Sequence, residues 1–408
     1  MNAYLDEFKK IYNDFVEFSR NKIPLCAAET YLSDFARQGL SSEFEGKYIQ
    51  GYKNRIIEKD NIGSDKLYPL LCLTEKICNE LFHAKYVDSR TLSGMNCMAI
   101  LIMALIDKKS TVLITTKEMG GHPSLANILD NLGIQYLPIP YNFSNYQVDY
   151  KQLNHILSVQ EISFVIFCQS DIICPPDFSK INLPSHTGFI YDASQTLGLI
   201  GAQLLDNPLY YFKNSLLIGG THKTLPGPTC GLIMTNNDAY IQQIDFTISP
   251  TLLRNIQPNN IAALCLTLIE QIEVGKEYQS KIVENANNLG QKMSSYGLNV
   301  VCLAPNKYTE THQLFINFEE DITNMIYTRA LEYNITLNKR ISKLYTGIRI
   351  GVQEITRYQY SDSDLNDVAE LIFLLSQKVL NDNKISKICQ TLSAQKQPHY
   401  ILNDIFME

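Results

Sequence analysis

The middle of the chain, from about residue 70 to residue 240, alternates short apolar runs with segments of helical periodicity. The helical segments include residues 70–82 and 95–106, and the apolar runs bounded by turn residues are 111–115, 164–168, 188–192 and 215–219. Strands that are separated by helices pair mainly in parallel, with the helices packed on both faces of the sheet. The alternation therefore predicts the α/β class and a large domain of three layers.

The last third of the chain has a different pattern. A long helical stretch (260–296) ends at Gly297, strand-like runs follow at 314–318 and 347–351, and an amphipathic segment (363–380) could be capped by Ser361 or Ser363. The polar tail from residue 381 onward carries no readable signal. We therefore expect an N-terminal helical segment (1–25), a large domain (26–260), and a connecting helix with a small α+β domain (261–408).

Composition excludes several classes of protein. The 408 residues include 35 Lys and Arg against 42 Asp and Glu, and a net charge of −7 does not suit a strongly basic nucleic-acid-binding protein. No apolar run reaches the roughly 18 residues of a membrane span, and the N-terminus does not resemble a signal peptide. The ten cysteines are scattered, without a C-x-x-C pair. We expect a cytoplasmic protein with reduced cysteines, no metal site, and no nucleic-acid or membrane partner.

The most informative segment is a Gly- and Pro-rich turn, residues 219–228, with the sequence GGTHKTLPGP. Lys223 comes just after a strand candidate, and a rigid loop at that point can direct its amine into a cleft. A partly desolvated lysine has a lowered pKa and can form a Schiff base with an aldehyde. The alternative is a solvated loop lysine without a chemical role.

An acidic residue, Asp192, ends an earlier strand candidate, residues 188–192. Open α/β sheets bind their ligands at the carboxyl ends of their strands. A carboxylate at this edge can hold a protonated pyridine nitrogen, which makes pyridoxal phosphate (PLP) an electron sink. Alternatively, Asp192 caps the next helix.

Several segments occur in the same order as in a known enzyme family. They are residues 23–29 (IPLCAAE), 47–52 (KYIQGY), 93–94 (SG), 120–122 (GGH), 192–200 (DASQTLGLI), 221–228 (THKTLPGP) and 347–351 (GIRIG). In these segments the chain resembles serine hydroxymethyltransferase, a PLP enzyme of fold type I in the aspartate aminotransferase superfamily. The resemblance implies PLP as the cofactor, a seven-stranded, mainly parallel sheet in a three-layer large domain, and a smaller C-terminal α+β domain.

The resemblance also assigns contacts with the cofactor to particular residues. The implied catalytic residues are Lys223, which would form the Schiff base, Asp192, which would pair with the pyridine nitrogen, and His122, which would stack on the ring. For His122 the alternative is a turn histidine that caps a helix. The other implied cofactor-binding residues are Ser93, Gly94 and Met95 at the phosphate, Ser170 at the pyridine hydroxyl, and Thr221, His222, Gln195 and Tyr48 around the pocket.

Substrate and partner follow from the same resemblance. Arg349 would clamp the substrate carboxylate with its planar fork of donors, the alternative being a surface salt bridge. Tyr48, Gln50 and Tyr52 are implied to bind substrate as well, and Tyr48 and Tyr52 would reach across a dimer interface into the partner's site. The implied substrate is a small amino acid, and the implied assembly is a homodimer with shared active sites.

The chain departs from the family pattern around the reacting group. Gln50 replaces a glutamate that transfers protons in the family, and an amide cannot do so near neutral pH. Gln195 replaces the histidine of the family's DMAH segment, and Ala28 replaces a serine. Arg254 stands in a segment that is glycine-rich in the family, where it could contact a phosphate or an acidic part of a different substrate.

These features predict an enzyme that makes or breaks the Cα–Cβ bond of a β-hydroxy-α-amino acid. Loss of the glutamate favours folate-independent retro-aldol cleavage, or transfer of an aldehyde onto glycine, over folate-dependent conversion of serine. One alternative is an aminotransferase, racemase or decarboxylase on the same fold. The other is a homologue with reduced catalysis that holds PLP in a regulatory role.

Overall fold

The computed structural model describes residues 3–49, 63–394 and 397–403. The α-helices are α1 (Ala3–Asn21), α2 (Asp34–Arg37), α3 (Ser64–Phe82), α4 (Gly94–Leu105), α5 (Pro123–Leu132), α6 (Tyr150–Val159), α7 (Leu197–Gly201), α8 (Asp238–Phe246), α9 (Pro258–Ser295), α10 (Glu320–Glu332), α11 (Gln353–Arg357), α12 (Asp362–Ser376) and α13 (Asp382–Ala394). The strands are β1 (Ile23–Pro24), β2 (Tyr86–Asp88), β3 (Thr111–Ile114), β4 (Gln135–Pro138), β5 (Tyr141–Asn142), β6 (Gln147–Val148), β7 (Phe164–Cys168), β8 (Gly188–Asp192), β9 (Ser215–His222), β10 (Pro226–Thr235), β11 (Asn299–Val300), β12 (Gln313–Asn317), β13 (Ile335–Thr336), β14 (Asn338–Ile341) and β15 (Thr346–Gly351).

The chain divides into two compact units. The large unit contains Ala28–Ser280 and Tyr400–Glu408, and the small unit contains Met1–Ala27 and Lys281–His399. Helix α9 runs through the division at residues 280 and 281. The domain boundaries at residues 25 and 260 stay a prediction from the sequence.

A seven-stranded sheet forms the centre of the large unit, in the order β2-β10-β9-β8-β7-β3-β4. Five neighbouring strands of this sheet, β9, β8, β7, β3 and β4, pair in parallel. Strand β10 is antiparallel to both of its neighbours, β9 and β2. The seven-stranded, mainly parallel sheet that the sequence predicts is thereby confirmed.

Each face of this sheet has its own apolar core. Successive residues of a strand point to opposite faces, so Val112, Ile166 and Ile190 pack in one cluster while Leu113 and Val165 pack in the other. Helices α4 and α5 contribute to the first cluster, and α3, α6 and α9 contribute to the second. Burial of each such side chain stabilises the fold by about 1.5 to 3 kcal/mol. The three-layer architecture follows from this division.

The small unit is built on a four-stranded antiparallel sheet in the order β11-β12-β15-β14. Helices α10 and α12 pack together in the same unit, and this arrangement confirms the predicted α+β domain. Ser361 caps α12 through a capping box with Asp364. The helix α13 is not predicted from the sequence. No helix in the described ranges is long and apolar enough to cross a bilayer.

Candidate active site

One pocket of the large unit lies at the carboxyl ends of β7, β8 and β9. Because these strands end at one edge of the sheet, residues from distant parts of the chain meet there. The lining residues are Ser93, Gly94, Met95, His122, Cys168, Gln169, Ser170, Asp192, Ser194, Gln195, Gly220, His222 and Lys223. The three residues that the family resemblance marks as catalytic, Lys223, His122 and Asp192, are therefore in the same pocket.

Asp192 is the last residue of β8 and is 9% exposed. Its Oδ1 accepts hydrogen bonds from the backbone N–H (2.9 Å) and the hydroxyl (2.5 Å) of Ser194. Its Oδ2 accepts a hydrogen bond from the Cys168 thiol at 3.2 Å. Asp192 does not cap the next helix, since the N-cap position of α7 is Thr196.

Lys223 lies in the turn between β9 and β10 and is half-buried. The turn is held through the next residue, Thr224, whose hydroxyl donates to the Gln195 carbonyl at 2.9 Å and accepts from the Gly198 N–H at 3.1 Å. Gln279 Nε2 donates to the Thr224 carbonyl at 2.7 Å. These bonds fix the backbone from which the lysine amine enters the pocket.

His122 is the N-cap residue of α5, as its alternative interpretation predicts, and it also lines the pocket. Its Nδ1 accepts a hydrogen bond from the Ser124 N–H at 3.2 Å. Burial lowers the pKa of His122, the Lys223 charge lowers it further, and the Asp192 carboxylate opposes both effects. A neutral ring that accepts at Nδ1 carries its proton on Nε2.

His222 precedes Lys223, and its Nδ1 is buried without a hydrogen-bond partner in the described part of the chain. Burial, and to a smaller extent the Lys223 charge, lower the pKa of His222 to about 4, so that its ring is neutral near neutral pH. A buried polar atom without a partner costs about 1 to 3 kcal/mol. A bound ligand that forms a hydrogen bond with this nitrogen would remove that cost.

The N-terminus of α4 forms another side of the pocket. Ser93 is its N-cap residue and accepts a hydrogen bond from the Asn96 N–H at 3.2 Å. The first N–H groups of a helix lack partners within the helix and, with the helix dipole, favour an anion. A Cβ atom on Gly94 would lie 2.5 Å from Ser194 Oγ and 2.9 Å from the Gly220 nitrogen. Glycine therefore allows the N-terminus of α4 to pack closely against Ser194 and Gly220.

Other residues that the resemblance implicates lie elsewhere. Thr221 is fully buried and is not among the lining residues, and its hydroxyl donates to the Pro228 carbonyl at 2.6 Å. Tyr48 is 44% exposed and does not line this pocket. Gln50 and Tyr52 lie outside the described residues.

Arg349 belongs to the small unit, where it lies on β15. It is 2% exposed, and its Nε and Nη2 donate to Asn338 Oδ1 at 3.1 and 2.7 Å. The pairing of β14 with β15 puts these two residues opposite each other. Such burial excludes a solvated surface salt bridge as the explanation of Arg349.

The sequence does not identify four of the lining residues, namely Cys168, Gln169, Ser194 and Gly220. Ser194 has a local signal, because an Asp with a Ser two residues later is typical of a turn closed by the aspartate side chain. Cys168 has none, since its place opposite Asp192 depends on the parallel register of β7 and β8.

Comparison with known proteins gives consistent relatives. A family model described as serine hydroxymethyltransferase matches residues 2–372. The serine hydroxymethyltransferase of Thermoplasma volcanium is 28% identical over 401 residues, which cover 94% of this chain and 93% of that protein. The enzyme of the same name from Methanothermobacter thermautotrophicus is 26% identical over 417 residues, which cover 98% of this chain and 96% of that protein.

A solved structure is similar over nearly the whole chain. The crystal structure of L-threonine transaldolase from Pseudomonas fluorescens, in its internal aldimine state, matches with a TM-score of 0.87 and 22% identity. The match covers 96% of this chain and 91% of that chain. At this level of identity the similarity establishes the fold.

Proposed function

The chain belongs to the serine hydroxymethyltransferase family, and we propose that it makes or breaks the Cα–Cβ bond of a β-hydroxy-α-amino acid without folate. Membership of the family implies a transferase or aldolase-type enzyme that uses PLP. The observation that carries the proposal is the presence of Lys223, Asp192 and His122 in one pocket.

The residues of the pocket fit PLP. The N-terminus of α4, which begins at Gly94, can bind a phosphate, and the buried Nδ1 of His222 can form a hydrogen bond with a ligand group. Lys223 supplies an amine that can attach to an aldehyde, Asp192 a carboxylate for the pyridine nitrogen, and Ser170 a hydroxyl for the ring hydroxyl. When bound, PLP withdraws electrons from the Cα atom of an amino acid.

Proton transfer in this pocket falls to Lys223. The Nδ1 of His122 is occupied by the Ser124 N–H, so the neutral ring carries its proton on Nε2 and neither nitrogen is a free base. His122 therefore orients a ligand by ring contact and through its Nε2–H. We propose that Lys223 Nζ, or a water next to it, removes the proton from the substrate hydroxyl.

Independence from folate rests on two amides. Gln195 lines the pocket and is 4% exposed, and it replaces the family's histidine. Gln50 replaces the family's glutamate. Neither amide can give or take a proton near neutral pH. Retro-aldol cleavage needs one base for the hydroxyl proton, and Lys223 is sufficient for that.

Two further roles belong to the same proposal. Arg349 binds the substrate carboxylate, as the family resemblance implies, because the planar fork of a guanidinium matches two carboxylate oxygens. Tyr48 and Tyr52 contribute to the site of the partner subunit in a homodimer, and Gln50 contributes to substrate binding. An exposed aromatic ring such as that of Tyr48 is available for such a contact.

The test is an aldehyde-release assay on the full chain loaded with PLP. Serine, threonine and phenylserine are supplied with and without tetrahydrofolate, and we expect aldehyde from at least one of them at a rate that folate does not change. Arg349→Lys is expected to raise KM about tenfold while leaving PLP binding unchanged, because lysine lacks the planar fork. A substrate analogue with a carboxamide in place of the carboxylate should show no such difference between the two proteins.

Other products would contradict the proposal. Formation of a keto acid or carbon dioxide would favour transamination or decarboxylation. Release of no aldehyde from any β-hydroxy amino acid, together with no condensation of an aldehyde with glycine, would favour the regulatory alternative.

A further inference from the structure

The carboxylate of Asp192 is held from the protein side by three donors. Oδ1 receives the N–H and the hydroxyl of Ser194, and Oδ2 receives the thiol of Cys168. The Cys168 side chain is 2% exposed. Both oxygens thus have an internal partner, which leaves the carboxylate little freedom to rotate.

The direction of the Ser194 hydroxyl is determined by its second contact. Ser194 Oγ accepts a hydrogen bond from the Gly220 N–H at 2.8 Å. Because an amide N–H can only donate, the hydroxyl proton remains for Asp192 Oδ1. Ser194 therefore links the carboxylate at the end of β8 to β9, the strand that leads to Lys223.

The thiol of Cys168 is a donor for a similar reason. The parallel register of β7 and β8 pairs Cys168 with Asp192. Burial, and after it the charge of Asp192, hold the pKa of the Cys168 thiol well above its usual range. The sulfur keeps its proton and can only donate it to the ionised carboxylate.

The titratable groups that we consider next to the Asp192 carboxylate are either positively charged or neutral. Lys223 is the nearby cation that acts on both His122 and Cys168. Burial raises the pKa of Cys97 and of Tyr191, which keeps both neutral. Among the residues that line the pocket, Asp192 is the only carboxylate.

We propose that Ser194 and Cys168 are positioning residues that keep the Asp192 carboxylate charged and aimed at the pyridine nitrogen of the cofactor. Hydrogen bonds donated to a carboxylate stabilise its charged form, and a charged carboxylate keeps the proton on the pyridine nitrogen. The inference rests on the proposed function, since it takes PLP as the ligand of this pocket. Ser194 stands where the quoted family segment DMAH has alanine.

The test uses the full chain with PLP labelled with ¹⁵N in the ring. The variants are Ser194→Ala, Cys168→Ala and the double variant, and two readouts are taken: the ¹⁵N chemical shift of the ring nitrogen and the dissociation constant of PLP. Cys168→Ser, which retains a donor, is the conservative variant. The matched controls are Ser215→Ala and Cys230→Ala, which remove a buried hydroxyl and a buried thiol that do not touch Asp192.

We expect the ¹⁵N shift to move toward that of unprotonated pyridine in each alanine variant, and furthest in the double variant. The dissociation constant of PLP should rise about three- to tenfold per lost donor, since a hydrogen bond to a charged group is a moderate contribution and a thiol is a weak donor. Cys168→Ser and both controls should resemble the unmodified protein. Thermal unfolding without PLP shows whether each variant is folded.

An unchanged ¹⁵N shift in the folded alanine variants would overturn the proposal, even if PLP bound more weakly, because packing alone would then explain the loss. Failure of the unmodified protein to bind PLP through Lys223 would instead overturn the proposed function. The visible absorption spectrum of the unmodified protein with PLP distinguishes these two failures, because it shows whether the cofactor is attached to Lys223.

Discussion

The two ends of the pocket differ in how their polar groups are bonded. At the Asp192 end, both carboxylate oxygens accept hydrogen bonds from buried neighbours. At the Lys223 end, His222 Nδ1 is buried without a partner in the described residues, and the pKa values of His122 and His222 are lowered by burial. The Asp192 end is held in place by hydrogen bonds within the protein, and the Lys223 end has a buried nitrogen that still lacks a partner among the described residues.

Under the proposed function, this difference separates the holding of a ligand from the transfer of protons. A carboxylate whose donors are already in place stabilises charge without reorganisation. Under the proposed function, His122, whose Nδ1 is occupied by the Ser124 N–H, and the amide of Gln195 provide contacts but no base, and Lys223 would carry the proton chemistry. The predictions below act on one end at a time.

Lys223→Ala removes the only amine of the lining and should have the largest effect. We expect aldehyde release to fall by at least about a thousandfold, because both attachment to PLP and proton transfer are lost. The visible absorption of the attached cofactor should also disappear. Lys213→Ala, at an exposed lysine before β9, is the matched control and should behave as the unmodified protein. Retention of the visible band in Lys223→Ala would contradict the assignment of this end.

Asp192→Asn tests the Asp192 end of the pocket while the shape of the side chain stays the same. The amide keeps the size of the side chain but loses its charge, so that kcat should fall by about a hundredfold. Because Lys223 is untouched, the visible absorption of PLP should remain, with a shifted maximum. A kcat within about threefold of the unmodified protein would mean that the three donors around Asp192 serve packing only.

His122→Asn separates the capping role of His122 from its proposed contact with the cofactor. Asparagine is a good N-cap residue and can still accept from the Ser124 N–H, so the stability of α5 should change little. Loss of the aromatic ring should lower kcat/KM by about two- to tenfold. A large drop in the unfolding temperature with unchanged kcat/KM would reverse this assignment and leave His122 a structural cap.

Much of the fold is predictable from local sequence patterns. The runs at residues 164–168 and 188–192 coincide with β7 and β8, because strands buried on both faces are apolar without interruption. The long helix ends before Gly297, which has a φ of 83° that favours glycine. Helix α13 escapes prediction because its buried residues, Ile385, Ile388 and Leu392, are few among polar neighbours.

The site is predictable where residues carry their own signal and not where register decides. Lys223 and Asp192 stand at strand ends beside turn residues, a pattern visible in the sequence. The contact between Cys168 and Asp192 depends on which strands are neighbours and how they are aligned. Thr221 belongs to the motif, but its hydroxyl bonds within the β9–β10 hairpin.

The smallest expected effect concerns acid stability and comes from His222. Its folded pKa of about 4 lies below the value of about 6.5 for an unfolded histidine, so its neutral form stabilises the fold above pH 6.5. This contribution is lost as the pH falls from about 6.5 through 4, because the unfolded chain binds the proton more readily. His222→Gln removes the group and should reduce the loss of unfolding free energy between pH 7 and pH 5 by at most about 2 kcal/mol. Urea denaturation of the PLP-free chain at the two pH values measures this difference, with the exposed His186→Gln as control. If the unfolding free energy of His222→Gln and of His186→Gln depended equally on pH, the ring of His222 would be hydrated. The two ends of the pocket would then differ only in the charge of Lys223.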